Sequence, residues 1–406
     1  MKKPISVLSF VSLLVAGSAM ASGWRIPEQS VDSTAKAGAN VASSSRGDAA
    51  YFNPANMPWM DDTWHLQANA TYIHLPSITY TDARNSAYNG KTEKEDFLLP
   101  TGFVVSPSYG GVRIGLAIVE PFGLAKEWKS AYQKSVAEEF SLATIEVNPT
   151  VAYSFMNMVS IAGGIRMLYA DATARSDAGD LGTPLSRDMQ ADTVEWGWNV
   201  AASVRPTQQM NISATYRSNI DMKFEDHDAK LNLMGTMVTL DADVTIPAPA
   251  VLTLSFAYDI RDNLNVEVGW DRTFWSEYEA LDFNFSPAIP GNPYEAAQAR
   301  NWDDTDAFRI SVAWGVTDRV TAMAGFAYDQ NPEPVETVGF ELPDSDAYIF
   351  SLGAQFKVSD NLDVGAAALY DYKKSREVKV NATDRVYGEF KDASALLLSL
   401  GINYRF

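Results

Sequence analysis

The chain ends in the stretch LLLSLGINYRF, residues 396–406, and the alternation within this stretch decides the fold. Successive side chains of a β-strand point to opposite faces, so every second residue shares a face. One face is apolar and ends in an aromatic residue: Leu396, Leu398, Leu400, Ile402, Tyr404 and Phe406. The other face is smaller and more polar. Such a strand suits a wall that has lipid on one side and a wet interior on the other.

The same alternation recurs upstream in segments of ten or more residues, the length that a tilted strand needs to cross a bilayer. From Phe308 onward, for example, large apolar residues at 308, 310, 312, 314 and 316 alternate with Arg309 and small or polar residues. We predict fourteen strands, at residues 63–81, 97–107, 111–120, 142–156, 158–175, 192–205, 208–225, 243–260, 263–281, 303–317, 319–331, 346–358, 361–380 and 387–406.

The lengths of the connections separate a barrel from a soluble β-sandwich, whose strands also alternate but are usually shorter. Six connections are tight, at 108–110, 157, 206–207, 261–262, 318 and 359–360. The others are mostly longer and rich in Asp, Asn, Gly and Pro. Short periplasmic turns and long outer loops are typical of bacterial barrels. We therefore predict an all-β fold at residues 63–406: a 14-stranded antiparallel transmembrane β-barrel in the outer membrane of a Gram-negative bacterium.

Composition limits the other classes. The chain contains no cysteine and carries a formal charge of −19, which argues against a nucleic-acid partner because such a partner needs a basic surface. Its three histidines, His65, His74 and His227, come with no motif that positions a serine or an acid beside them. We therefore expect no enzyme, no catalytic or metal site and no cofactor, and we expect a monomer.

The first residues predict an export signal. Lys2 and Lys3 precede a short apolar stretch, residues 5–16, and residues 19–21 form the small-residue site Ala-Met-Ala. Signal peptides have this order of charged, apolar and small-residue regions. We expect a signal peptide at 1–21 and a mature chain that starts at Ser22.

Residues 22–62 do not alternate, so they do not belong to the wall. Two placements stay open: a disordered leader in the periplasm, or a hatch (plug) folded into the lumen. Disordered segments usually lack aromatic residues. Trp24, Tyr51, Phe52 and Trp59 therefore favour the hatch.

Short motifs follow one another along the whole mature chain. They are Ser22-Gly23-Trp24, Asn53-Pro54-Ala55, FGLAKEW at 122–128, AGDLG at 178–182, YRS at 216–218, WS at 275–276, AFR at 307–309 and PEPV at 332–335. In this order they resemble the FadL family of outer-membrane long-chain fatty-acid transporters. The resemblance implies a fourteen-stranded barrel with an N-terminal hatch. Independently of it, the final aromatic residue on the alternating apolar strand resembles the signal that the barrel-assembly machinery reads.

The resemblance also implies ligand-binding residues. The family has two basic ligand positions, one just before the AGDLG motif and one seven residues before AFR. The second falls on Arg300, whereas the first falls on Ser176, so that Arg175 is the nearest cation. Trp24 corresponds to the family's N-terminal aromatic residue that touches ligand. Asn53, Pro54 and Ala55 form the hatch motif.

The third strand is interrupted at Pro121-Phe122-Gly123. Proline removes a donor from the ladder and glycine weakens a strand interior. Either the strand ends at Glu120, or the wall opens sideways here. The resemblance favours the second reading.

Together these features predict transport of hydrophobic compounds, with capture near the outer loops, passage past the hatch and lateral release into outer-membrane lipid. Long-chain fatty acids are the expected ligands, and aromatic hydrocarbons or other hydrophobic solutes are the alternative. A general diffusion porin is a rival, but porins lack a folded N-terminal plug of this length.

Overall fold

The computed structural model describes residues 23–155 and 158–406. The predicted signal peptide, the predicted mature start at Ser22 and the tight turn at Asn157 lie outside the described residues.

Fourteen antiparallel strands form one closed barrel, and three of them are split into two segments. They are β1 His65–Leu75, β2 Glu95–Val105, β3 Val112–Val119 and Gly123–Glu127, β4 Glu139–Phe155, β5 Val159–Asp177, β6 Leu185–Thr207, β7 Met210–Arg217 and Ile220–Leu233, β8 Thr236–Ala248 and Val251–Arg261, β9 Leu264–Thr273, β10 Thr305–Thr317, β11 Val320–Asp329, β12 Ala347–Lys357, β13 Leu362–Lys373 and β14 Ser394–Arg405. The predicted fold class is confirmed.

The last strand closes the barrel by pairing with the first, from His65 opposite Arg405 to His74 opposite Leu396. Trp64 and Phe406 add a final rung, in which the Trp64 N–H donates to the Phe406 carbonyl (3.0 Å) and the Phe406 N–H donates in return (3.2 Å). Closure leaves no unpaired strand edge, which lipid would not tolerate. The C-terminal stretch therefore completes the wall.

The two faces of the wall are those that the alternation predicts. Phe308 on β10 is 52% exposed on the outside, whereas its neighbour Arg309 is buried in the interior. On β14, Leu398, Leu400 and Ile402 are likewise exposed. This exposed apolar belt is the surface that a membrane covers.

The structure differs from the sequence prediction between β7 and β8, where we predicted a long outer loop at 226–242. The two strands instead continue as a hairpin to a two-residue turn at Met234-Gly235, where both residues have positive φ (53° and 92°). Such a turn matches the twist of a hairpin. A register shift between Asp226 and Ala229 moves the alternation by one residue, which hides the strand from a period-two search.

Helices are few and short. The segment before the barrel contains α1 Val31–Ala35, α2 Ala49–Phe52 and a 3₁₀ helix at Pro54–Trp59, and the outer loop after β3 contains α3 Ala131–Ala137. In the described parts of the chain, no helix has the length and apolar character that a membrane span requires.

Residues 23–62, the hatch, contact the inner wall on several sides. Their α1 helix packs against β11, β12, β13 and β14. Ser351 of β12 donates a hydrogen bond to the carbonyl of Ala35 (2.8 Å), and Gln355 donates to Asp32 (3.1 Å). At Gly325 of β11 the approach is so close that a Cβ would lie 2.2 Å from the backbone carbon of Lys36.

One wall carboxylate holds the hatch backbone directly. Glu267 of β9 is fully buried and accepts the N–H groups of Val41 and Ala42 (both 2.8 Å) and of Ser43 (2.9 Å). Ser255 donates a further hydrogen bond to it at 2.5 Å. Hydrogen bonds to a charged acceptor are among the stronger ones in proteins. Glu267 therefore sets the position of this hatch segment relative to the wall.

Replacing Glu267 with Gln should loosen the hatch while the barrel stays closed. The amide has one acceptor oxygen, so at least one buried N–H loses its partner at a cost of about 1–3 kcal/mol. We expect faster amide exchange at residues 41–43 in a hydrogen–deuterium exchange measurement. The exposed Asp262→Asn, in the turn before β9, is the control and should exchange like the wild type. Unchanged exchange in Glu267→Gln would contradict this role.

Candidate functional site

An apolar cavity lies at the outer ends of β4 to β8. Inward-facing apolar side chains of these strands line it, loop residues cover it, and Trp24 of the hatch borders it. The lining includes Leu124, Phe140, Leu142, Met189, Phe224, Val244, Ile246, Leu281, Phe283 and Leu342. The cavity, called the outer pocket, suits a hydrophobic chain or ring.

Four aromatic rings pack together beside this pocket. The ring of Trp24 lies 4.7 Å from that of Trp275, 4.9 Å from that of Trp302 and 5.1 Å from that of Tyr278. The indole N–H groups of Trp24 and Trp302 are buried, and neither has a hydrogen-bond partner among the described residues. The structure thus places Trp24 at the pocket, where the sequence predicted a ligand contact.

Arg300 also lines the outer pocket, but its charge is already paired. It is 5% exposed and forms an ion pair with Glu341, which lines the same pocket. Glu333 is a third ionisable neighbour, and its burial raises its pKa to about 8, so it is largely neutral at pH 7. The polar end of the pocket therefore combines a neutralised cation with a protonated acid.

Arg175 does not reach the outer pocket. Its side chain is 37% exposed and lies between its two cross-strand neighbours, at 2.5 Å from Glu139 and 2.7 Å from Asp188. Ser176, the residue that follows it, is the one that faces the interior.

The hatch motif ties the hatch to the wall. The Asn53 side-chain amide donates to Ser203 of β6 (2.9 Å), to Ser213 of β7 (3.0 Å) and to the carbonyl of Val41 (3.1 Å). Its oxygen accepts the N–H of Ala55 and so caps the 3₁₀ helix, in which Pro54 is the first residue. Proline is favoured at that position because its missing N–H would have no partner there.

The third strand is interrupted between Val119 and Gly123. On one side, β4 runs past the break and pairs with both segments of β3. On the other side, β2 pairs with β3 only as far as Gly102 opposite Ile118. The ladder between β2 and β3 thus stops at Ile118, before Pro121.

The hatch fills this interruption with its own backbone. The N–H of Ile26 donates to the carbonyl of Pro121 and the N–H of Gly123 donates to the carbonyl of Trp24, both at 2.8 Å. The Gln29 side chain accepts the Glu120 N–H (2.9 Å) and donates to its carbonyl (2.8 Å). Hatch groups therefore replace the missing strand partners.

A second cavity lies on the hatch side of the break and is more polar. Pro121 and Phe122 line it together with Arg25, Arg166 and Arg217. Glu146 pairs with both Arg166 and Arg217, so these two cations share one carboxylate. Because Trp24 borders the outer pocket and Arg25 borders this cavity, the start of the hatch separates the two.

The sequence analysis missed Gln29 and Glu341. Each of these side chains contacts a residue that is far away in the chain, and a contact of this kind leaves no local motif in the sequence. Within residues 23–155 and 158–406, no group of three or more His, Asp or Glu side chains is arranged to hold a metal ion.

Comparison with known proteins covers the whole chain. Residues 12–406 match the family described as outer membrane protein transport protein (OMPP1/FadL/TodX). The chain is 23% identical to Outer membrane protein P1 of Haemophilus influenzae, with 99% of each chain covered. It is 24% identical to the long-chain fatty acid transport protein of Escherichia coli K12, with 99% of this chain and 98% of the relative covered.

Solved structures show the same fold. A FadL homologue from Pseudomonas aeruginosa is similar at a TM-score of 0.82, with 21% identity and coverage of 95% of this chain and 100% of that one. The toluene transporter TodX of Pseudomonas putida is similar at 0.71, with 15% identity and coverage of 93% and 98%. The predicted family and the predicted outer-membrane location are confirmed. The chain belongs to the OMPP1/FadL/TodX family of outer membrane protein transport proteins.

Proposed function

We propose that this protein carries hydrophobic small molecules, above all long-chain fatty acids, into the outer membrane and releases them sideways through the break in β3. One observation carries the proposal: the same hatch segment borders the outer pocket with Trp24 and fills the break in β3 with its backbone. Movement of this segment would change the pocket and the wall together.

The energetics require such a moving part. Burial is worth ~0.8 kcal/mol per methylene, so a chain of ~15 methylenes gains ~12 kcal/mol gross, close to a nanomolar complex. A pocket that tight would trap its ligand. A displacement of Trp24 opens the border of the outer pocket and so weakens binding there. It also frees the route to the second cavity and to Pro121.

The exit at β3 is compatible with lipid only while its backbone groups are paired. With the hatch in place, Pro121, Gly123 and Glu120 have partners from residues 24, 26 and 29. Without it, those groups would be unsatisfied at membrane depth, at several kcal/mol each. Opening is therefore transient, and the hatch returns to its place after release.

The pocket favours an elongated ligand with a polar head over a small hydrocarbon. Its walls are apolar, and Arg300 supplies a guanidinium at its edge. The Escherichia coli relative is named for long-chain fatty acids, and the structural relative from Pseudomonas putida for toluene. Aromatic hydrocarbons are thus the second candidate, supported by the ring cluster around Trp24.

The protein acts as a transporter and not as an enzyme. The family's relatives are named as transport and outer-membrane proteins. It works as a monomer, since one chain supplies the pocket, the hatch and the exit and transport needs no second copy. The barrel-assembly machinery inserts it by reading the strand that ends in Phe406. A general porin needs an open bore, whereas the hatch occupies this one.

Closing the break should stop transport. The double replacement Pro121→Thr with Gly123→Val restores a ladder donor and a strand-forming side chain at the interruption. We expect uptake of radiolabelled oleate by cells to fall at least about tenfold, with an unchanged amount of folded barrel in the outer membrane.

Pro149→Thr provides the matched control. Pro149 also lies within a barrel strand, β4, but the β4–β5 pairing resumes on both sides of it. Removing it should leave uptake unchanged. Full oleate uptake in the Pro121/Gly123 double variant would refute lateral release at this place.

Growth tests can separate the two substrate classes. A strain without its own fatty-acid transporter should grow on oleate when it carries this protein, and Arg300→Ala should slow that growth severalfold. Entry of toluene should be unaffected by Arg300→Ala, because toluene has no head group to bind. If toluene entry depends on the protein and oleate growth does not, the aromatic alternative is correct.

Glu341→Gln should have the opposite effect to Arg300→Ala. It removes the charge that neutralises Arg300 and leaves the guanidinium free for a ligand carboxylate. We expect oleate to bind up to about tenfold more tightly, since one charge-assisted hydrogen bond can supply this difference. Weaker oleate binding in this variant would contradict a carboxylate-binding role for Arg300.

A further inference from the structure

Arg187 of β6 is a buried cation without a matching anion. It is 4% exposed, and its Nε and Nη1 atoms are buried with no hydrogen-bond partner among the described residues. Arg175 and Arg300, by contrast, both have carboxylate partners.

The register of the wall places Arg187 next to the outer pocket. Ala174 of β5 and Met189 of β6 are cross-strand partners, and both line the pocket. The next inward-facing pair toward the outside is Ser176 and Arg187. Two residues along a strand span roughly 6.6 Å, so the Arg187 backbone is one rung beyond the pocket lining.

Aromatic rings of the pocket hold the guanidinium. Its central carbon lies 5.1 Å from the ring centre of Phe140 and 4.9 Å from that of Phe283, and both rings line the outer pocket. The ring of Tyr294 follows at 5.3 Å. Ring faces attract a cation but provide no acceptor for its N–H groups.

The charges around Arg187 add to its need for an anion. Arg300 and Arg385 are its cationic neighbours, and Glu341 is its acidic one. Glu341 is engaged by Arg300. In a chain with a net charge of −19, this is a local excess of positive charge.

An unpaired charge inside a protein is costly, and buried charges are normally paired. We propose that Arg187 binds the anionic head group, a carboxylate, of an amphiphile whose tail lies in the outer pocket. This rests on the proposed function and deepens it: Arg187 is a second head-group cation beside Arg300, and it is the one that no carboxylate of the described residues pairs with. The tail then runs from Phe140 and Phe283 toward Trp24.

This assignment accounts for Ser176, where the family resemblance implied a cation. The side chains of directly paired residues on neighbouring strands lie on one face, about 4.5–5.5 Å apart at Cβ. A cation at position 187 therefore serves the same space as a cation at position 176. Ser176 instead contacts the Tyr294 hydroxyl, at 3.4 Å, on one side of the guanidinium.

Two probes that differ only in their head group test the proposal. Decanoate and decanol have the same chain length, and their binding can be followed by tryptophan fluorescence in the full-length protein kept in amphipol. We expect Arg187→Met to weaken decanoate binding about 10- to 100-fold, the effect of one lost charge-assisted interaction. Decanol binding should stay within about twofold, because methionine keeps the apolar volume.

Two further variants complete the design. Arg187→Lys should keep most of the preference for decanoate, since it retains the charge. Arg272→Met removes a cation that is paired with Asp304 and Asp306 away from the pocket, and it should change neither affinity. Because every variant meets the same amphipol, partitioning of the probes cancels in the ratio of decanoate to decanol affinities.

The outcomes separate this inference from the proposed function. If the wild type binds both probes and Arg187→Met leaves their affinity ratio unchanged, Arg187 is not the head-group residue and the inference fails. An equal loss for both probes also overturns it, because the residue then acts only on the shape of the pocket. If the wild type binds neither probe, the proposed function fails as well.

Discussion

The structure depends on one constraint: backbone N–H and C=O groups at membrane depth must be paired. The barrel meets it by closing β14 on β1, but the strand pairing fails at the interruption of β3. There the start of the hatch supplies the missing partners, through the backbone of Trp24 and Ile26 and the side chain of Gln29. The hatch is thus a part of the wall as well as an occupant of the bore. This double role connects the outer pocket to the exit.

Charged groups hold the hatch, whereas apolar groups form the outer pocket. Arg309 contacts Asp271 (3.0 Å), Asp329 (3.3 Å) and the carbonyl of Ala37 (2.9 Å), and Arg25 of the hatch also pairs with Asp271 (3.2 Å). Breaking a buried ion pair is strongly unfavourable, so such contacts specify one position. Apolar contacts are non-directional and let a ligand slide. Because charged contacts position the hatch and apolar contacts bind the ligand, the same barrel can fix its hatch and release its ligand.

The state of each arginine follows from its neighbours. Arg175 forms ion pairs with the two acidic residues opposite it on adjacent strands. The charge of Arg300 is neutralised by an ion pair with Glu341, which lies in an outer loop. Arg187 has aromatic neighbours and no acid in contact. The sequence alone shows three basic residues near the outer loops and does not distinguish between them. Only their burial and pairing show which of them still needs an anion.

The sequence by itself determined the class of the fold, because a wall between lipid and water imposes a period of two on every strand. The fourteen strands, the tight turns and the closing stretch that ends in Phe406 follow from this local pattern. The pattern did not predict the strand beyond Asp226, because a bulge adds one residue there and shifts the alternation between the two faces. Short sequence motifs identified Trp24, Asn53, Pro121 and Arg300 as candidate functional residues. They did not predict which groups these residues contact. Only the tertiary structure decided that Gln29 fills the break, that Glu267 accepts the backbone N–H groups of residues 41–43, and that Arg187 is unpaired. Those contacts join residues tens to hundreds of positions apart, and their energy depends on burial and geometry, which no local pattern encodes.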